Sequence, residues 1–242
     1  TYHQVSIGEL LQFIMSVKVP GFIVVISKNW LKSIYKSRRT KIIKPVDQLF
    51  RLKQQIDFVS EIDQLKEIIR QNSLCSGNRL ENTAEHSWHL ALMAVTLVEY
   101  ANESIDLTRT IQMLLVHDLV EIDAGDTYCH DVFANQDKAE REAKAANRIF
   151  GLLPTEQGQN YYTLWKEFED RETPEAQFAN ALDRFLPLLQ HTVAGGSRWQ
   201  EHKISKEQVM IRCQPIEDGS AVLWQQAEIM IQQAVKNGRL LA

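Results

Sequence analysis

The sequence predicts an all-α fold, a helical bundle forming one domain. Three observations carry that expectation. From Asp47 onward apolar residues recur at helical spacing, and no alternating strand pattern of useful length follows residue 46. The 242 residues include only 10 glycines and 6 prolines, while 44% are apolar, enough to bury one sizeable core. Helix punctuation also falls where apolar stripes begin and end: Thr173-Pro174-Glu175 reads as an N-cap with proline at the first helical position, and Ser205-Lys206-Glu207-Gln208 as a capping box.

Residues 1–45 differ from everything after them. They hold eight basic residues (Lys18, Lys28, Lys32, Lys36, Arg38, Arg39, Lys41, Lys44) against Glu9, a balance of +7 that leaves −11 for the rest. Leu10 to Ile26 is apolar, but Lys18 and Pro20 interrupt it, and a central Lys costs a membrane span roughly 2.5 to 3.5 kcal/mol. The stretch also lacks the charge-first order of a signal peptide. It is read as a basic and apolar extension, without membrane contact, ahead of a domain over 46–242. The acidic body disfavours nucleic acid and suits a small ligand whose charge is handled locally. Cys75, Cys129 and Cys213 are too few and scattered for a disulfide framework, which suits a reducing cytoplasm.

In chain order, Phe50, Ile56, Phe58, Val59, Ile62, Leu65 and Ile68-Ile69 mark a helical stripe reaching about Arg70. A polar link, Gln71 to Asn78, leads to a helix that opens at His86 and stays apolar on nearly every face through Val98. Ser104 or Asp106 caps the next helix, which carries Ile111, Leu114, Leu115, His117 and Leu119. Gly125 closes it and throws Asp126 into an irregular loop, Thr127 to Gln136. A charged helix follows from Asp137 to Phe150, ended by Gly151 and Pro154. The next begins at Thr155 with Tyr162, Trp165 and Phe168 as its stripe. The cap at Thr173 opens the Asp183 helix, and Ser220 to Val235 forms the last, stopped by Gly238.

The chemistry concentrates in Leu114-Leu115-Val116-His117-Asp118-Leu119-Val120-Glu121, where an imidazole and a carboxylate sit inside an apolar run. An uncompensated charge there costs several kcal/mol, about the price of a buried ion, so a divalent cation is the economical partner for Asp118. His86 and Asp183 lie on other apolar helices. His86, His117, Asp118 and Asp183 together make a nitrogen and oxygen set suited to one divalent ion, from among Mn, Co, Fe, Ni, Zn or Mg. Helical spacing puts Glu121 on the face of His117 and Asp118, where burial raises a carboxyl toward the range useful for proton transfer. His89 is assigned to packing or to supporting the ligands; His130, His191 and His202 have no such context. Pro187, four residues after Asp183, cannot donate the helix bond to its carbonyl, and a local kink is expected.

The order His, His-Asp, Asp on successive helices resembles the HD-domain metal-dependent phosphohydrolases. The words Glu81-Asn82-Thr83-Ala84-Glu85-His86-Ser87, Val116-His117-Asp118-Leu119-Val120-Glu121, Ala124-Gly125-Asp126 and Ala181-Leu182-Asp183-Arg184 are similar to the branch holding the bacterial 5'-deoxynucleotidases and the human-type HD-domain-containing protein 2. The likeness runs from about Gln54 to Val235. It implies an HD-domain bundle around a single divalent-metal site, removal of phosphate from (deoxy)nucleoside 5'-monophosphates, and a homodimer. It also implies that Glu121 and Asp126 manage protons and that Asp118, Asp126, Thr127, Tyr128, Cys129 and Asp183 meet the nucleotide. Arg79 is placed either on a phosphate or against Glu81 or Glu85. Where the bacterial branch orients phosphate and sugar with an Arg-Trp pair, an ungapped comparison sets Gln71-Asn72 here, a departure that bears on 2'-deoxy preference. The same metal site serves nucleoside triphosphates and cyclic or dinucleotide esters elsewhere, and a nucleotide sensor without turnover keeps the same fold.

Overall fold

The computed structural model describes residues 45–126 and 136–241. The expectations for the N-terminal extension and for Thr127, Tyr128, Cys129 and His130 therefore lie outside the described residues.

The all-α expectation holds, with one addition. Helix α1 (Pro45–Glu61) does not run on to Arg70 but tightens into a 3-10 segment, Ile62–Glu67, which buries Leu65. The chain then forms a small antiparallel hairpin, β1 (Ile69–Ser73) and β2 (Leu80–Asn82), where a polar link had been expected. Ile69 pairs with Asn82 and Ser73 with Leu80, so the longer strand bulges between them. Gly77, at φ +72°, takes the left-handed turn conformation that costs glycine little. The hairpin has no alternating signature because Arg70, Gln71, Asn72 and Ser73 are all polar.

Asn82 caps α2 (Thr83–Leu97) with a full capping box: its side chain accepts the Glu85 N–H, and the Glu85 carboxylate accepts the Asn82 N–H at 2.7 Å. Asp106 caps α3 (Leu107–Val116) by accepting the Arg109 N–H. A single helix through Ala124 does not form. The chain tightens into a 3-10 turn over His117–Val120, and a short α4 (Glu121–Ala124) follows. Apolar spacing does not separate 3.0 from 3.6 residues per turn over four residues. Beyond lie α5 (Lys138–Phe150), α6 (Thr155–Asp170), α7 (Pro174–Val193), α8 (Ser197–Glu201), α9 (Lys206–Cys213), α10 (Ile216–Gly219) and α11 (Ala221–Lys236). The Thr173 cap, the Ser205 capping box and a Ser220 cap are all present.

Helix α7 is the axis of the fold, packing against α2, α3, α6, α9, α10 and α11. It buries Phe178, Ala179, Ala181, Leu182, Leu186 and Leu188, each larger side chain contributing about 1.5 to 3 kcal/mol. It continues through Pro187. The apolar interior falls into two clusters. One gathers around α7 and includes Leu90, Met93, Met113 and Leu114; the other lies under α5 and includes Phe58, Val116, Leu119, Ile149 and Phe150. The chain passes from the first cluster to the second between Leu114 and Val116, one step before His117. Cys213 is buried, whereas Cys75 is exposed and has no structural duty in the core.

Candidate metal centre

The capping box fixes the first turn of α2 and so places His86, fully buried, at its inner face. His86 Nδ1 lies 3.1 Å from Glu81 Oε2, and since a carboxylate only accepts, Nδ1 carries the proton. His86 Nε2 then turns its lone pair to Asp183 Oδ1 at 3.1 Å, with Asp118 Oδ2 at 4.0 Å. His117 follows the same logic. Its Nδ1 donates to the Leu114 carbonyl at 2.9 Å, and its Nε2 stands 3.1 Å from Asp118 Oδ1 and 3.8 Å from Asp183 Oδ1. That Nε2 is buried without a hydrogen-bond partner. Phe168 walls the imidazole, ring centres 4.5 Å apart.

Lone pairs of imidazole and carboxylate do not face one another at such distances without positive charge between them. Burial disfavours a charged His117, yet Asp118 and Asp183 outweigh it and carry the ring pKa up to about 10. The same coupling holds Asp118 and Asp183 far below the usual carboxylate range despite their burial, through His117 and, for Asp118, Arg70. The centre thus demands a cation, which a proton on the ring or a divalent metal ion both answer. His86, His117 and Asp183 each offer a ligand atom within 4.8 Å of one another, so the donor set fits a metal. Asp118 adjoins this trio, with its Oδ1 3.1 Å from His117 Nε2, while its Oδ2 accepts from Arg70 Nη1 at 2.8 Å.

Glu121 is buried beside the cluster, where Thr83 Oγ1 donates to its Oε2 at 3.0 Å. Burial first, then the neighbouring Asp118 and Asp126 charges, push its pKa well above the ordinary value, while Arg70 pulls the other way. Gly125 adopts φ +74°, its N–H returning to the Glu121 carbonyl at 2.8 Å. Asp126 follows, its pKa raised by burial and by Asp118. Of the two roles foreseen for Arg79, the structure shows the structural one: it grips Glu85 with both terminal nitrogens at 2.5 and 2.9 Å on an exposed surface. His89 packs near Trp88 and His191 near Trp199, and neither belongs to the centre.

Two participants were missed in the sequence, Arg70 and Glu81. Arg70 comes from the bulged part of β1, a device that re-aims a side chain. It is largely buried, and although burial opposes the charge, Asp118, Glu121, Asp126 and Asp183 hold it firmly cationic. Gln71 and Asn72 serve elsewhere. Arg198 donates to the Gln71 carbonyl and side chain at 3.1 and 2.6 Å, and Asn72 donates to Gln190. No residue-type signal marks Arg70, which heads a run of polar neighbours where no apolar period singles it out.

A helical bundle in which two buried imidazoles and two aspartates converge from three helices defines a divalent-metal protein of the HD type. The family model described as HD domain matches residues 62–224, and the chain belongs to that family. A crystal structure from Magnetospirillum magnetotacticum MS-1, titled a predicted metal-dependent phosphohydrolase, superposes over 79% of this chain and 99% of that one, with a TM-score of 0.75 and 49% identity. The human 5'-deoxynucleotidase HDDC2 is 29% identical over 136 residues, 56% of this chain and 65% of its own length. The Dictyostelium discoideum protein of the same name is 31% identical over 141 residues, 74% of its length. The match thus spans just under two thirds of the human relative. No helix among the described residues is long and apolar enough to cross a membrane.

Proposed function

We propose that this chain is a metal-dependent phosphomonoesterase that releases phosphate from nucleoside 5'-monophosphates, deoxynucleotides among them. One observation carries the reading: His86 Nε2, His117 Nε2 and Asp183 Oδ1 converge with both Nδ1 atoms already committed, leaving a buried donor set with nothing to bind but a cation. The names of the human and slime-mould relatives and of the bacterial structure support it.

His86, His117 and Asp183 would hold the ion, with Asp118 as the adjoining carboxylate. A divalent cation there supplies Lewis acidity, offsetting charge on phosphoryl oxygens and making nearby water acidic near neutral pH. Arg70 provides a fixed positive charge for the phosphate beside Asp118, and its buried Nε has no hydrogen-bond partner. Glu121, its pKa pushed up by burial and by the Asp118 and Asp126 charges, is the group that passes a proton between water and the departing sugar oxygen, and Asp126, whose charge it feels, shares that duty. The mixed donor set favours a first-row ion such as manganese or cobalt. Since Gln71 and Asn72 are occupied by Arg198 and Gln190, strict 2'-deoxy selection has no support from that pair. A cytoplasmic homodimer completes the reading, and light scattering checks the dimer.

The test is phosphate release from a panel of ribo- and deoxynucleoside 5'-monophosphates with each of several divalent ions added to chelator-stripped protein. Metal-dependent release from monophosphates is expected. Metal binding with no release from any of them would overturn the phosphatase reading while leaving the metal centre standing.

A further inference from the structure

One line of buried polar groups runs away from the metal centre, from His86 through Glu81 to Gln190, and its far end has no role in the reading above. Glu81, His86 and Gln190 are each at most 1% exposed. Gln190 Nε2 donates to Glu81 Oε1 at 2.5 Å, while Glu81 Oε2 accepts from His86 Nδ1 at 3.1 Å. The Glu81 carboxylate only accepts, so the Gln190 amide must turn its nitrogen to it, which leaves Gln190 Oε1 to accept from Asn72 Nδ2 at 3.2 Å. Arg70 Nε lies 3.8 Å from Glu81 Oε2, near but beyond hydrogen-bond reach.

Gln190 stands seven residues after Asp183 on α7. Seven residues are almost two full turns, so both side chains leave the same face about 10.5 Å apart along the axis. One meets the His86 ring at Nε2, and the other reaches its Nδ1 through Glu81. A single rigid helix therefore addresses both nitrogens of one imidazole.

We infer that Gln190 is a positioning residue for the metal centre: by holding Glu81 it fixes His86 with the proton on Nδ1 and Nε2 turned to the ion. Without the amide, the Glu81 carboxylate keeps the hydrogen bond to His86 but loses what stops it from rotating. Its freed oxygen is left buried and unpartnered. Partners that orient a ligating histidine typically tune metal affinity by about 10- to 100-fold. The inference rests on the metal-centre reading and not on the phosphatase reading.

The experiment titrates Co2+ into chelator-stripped full-length protein, reading the dissociation constant and the cobalt absorption spectrum, which reports ligand geometry. Gln190→Leu is expected to weaken Co2+ by about 10-fold or more and to change the spectrum. Asn72→Ala, which only frees the amide to turn, should give a smaller loss of the same kind, and the double variant should fall short of the sum because both act through one chain. A purely structural Gln190 would lower the melting temperature and leave the constant and spectrum at wild-type values; that result overturns the inference. If Gln190→Leu does not fold, Asn72→Ala decides alone by the same two readouts. Wild-type protein that takes up no Co2+ removes the metal centre itself, and the inference with it.

Discussion

Arg70 Nη1 meets Asp118 Oδ2 at 2.8 Å, so the aspartate of the His-Asp pair is held by a cation from the β-hairpin as well as by the His117 beside it. Removing one partner of a buried ion pair leaves the other uncompensated, at about 3 to 5 kcal/mol. Arg70→Ala is therefore expected to destabilise the metal-free protein by an amount of that order and the Mn2+-loaded protein by clearly less, because the ion takes over the neutralisation of Asp118. Urea unfolding with and without metal checks this; equal losses in both states would show that Asp118 does not sense the ion.

Glu121→Gln keeps the size of the side chain and a partner for Thr83 but removes the titratable proton. The variant should bind Mn2+ like the wild type and lose turnover of nucleoside monophosphate by about a hundredfold or more, the usual scale for a general acid or base. Steady-state kinetics beside metal analysis separates the two effects. Unchanged turnover would pass the proton-transfer role to Asp126.

Away from the centre, Glu167 accepts from Arg109 Nε at 3.1 Å, from Arg109 Nη2, and from Thr173 Oγ1 at 2.8 Å. Burial alone would raise its pKa, but Arg109 and Thr173 prevail and hold it below the ordinary value. A carboxyl depressed on folding adds stability that is fully present above its unfolded pKa and is lost as pH falls through the folded one. Wild type should thus lose stability from about pH 4.5 downward at this site, whereas Glu167→Gln should start lower at pH 7, by about 1 kcal/mol, with a shallower acid limb. Thermal melts from pH 7 to pH 3 give both quantities.

Gly219 lies where α10 presses on α7. A Cβ there would stand 2.3 Å from the Gln177 carbonyl oxygen and 2.7 Å from Phe178 Cα, both backbone atoms of the central helix. The backbone of α7 cannot yield without disturbing Phe178, which is fully buried. Gly219→Ala is expected to cost about 1 to 3 kcal/mol and to lower the melting temperature by several degrees. Calorimetry with an unshifted midpoint would show that α10 moves away at no cost.

Most of the helices were readable because each rests on an apolar stripe and a polar cap, and both are written in residue types: Thr173, Ser205 and Asp106 cap helices as their sequences indicated. His86, His117 and Asp183 were readable for a related reason, as ionisable groups inside apolar runs. What stayed hidden depends on backbone geometry. The hairpin joins polar strands through main-chain bonds that carry no side-chain period, and with it went Arg70 and the purpose of Glu81. The tightening at His117 was equally silent, since four residues do not reveal their pitch. For Arg79 the sequence context allowed a phosphate as readily as an acidic neighbour, and only the fold shows that it holds Glu85.

The passage of the chain between its two apolar clusters, from Leu114 to Val116, has a consequence for motion. His86 and Asp183 belong to helices rooted in the cluster around α7, while His117 opens the turn rooted under α5. An ion shared by all three acts as a rivet through two plates. Any breathing movement that parts the clusters has to strip a ligand first, so filling the centre should slow amide hydrogen exchange across the whole seam, and protons far from any nucleotide become reporters of whether the rivet is in place.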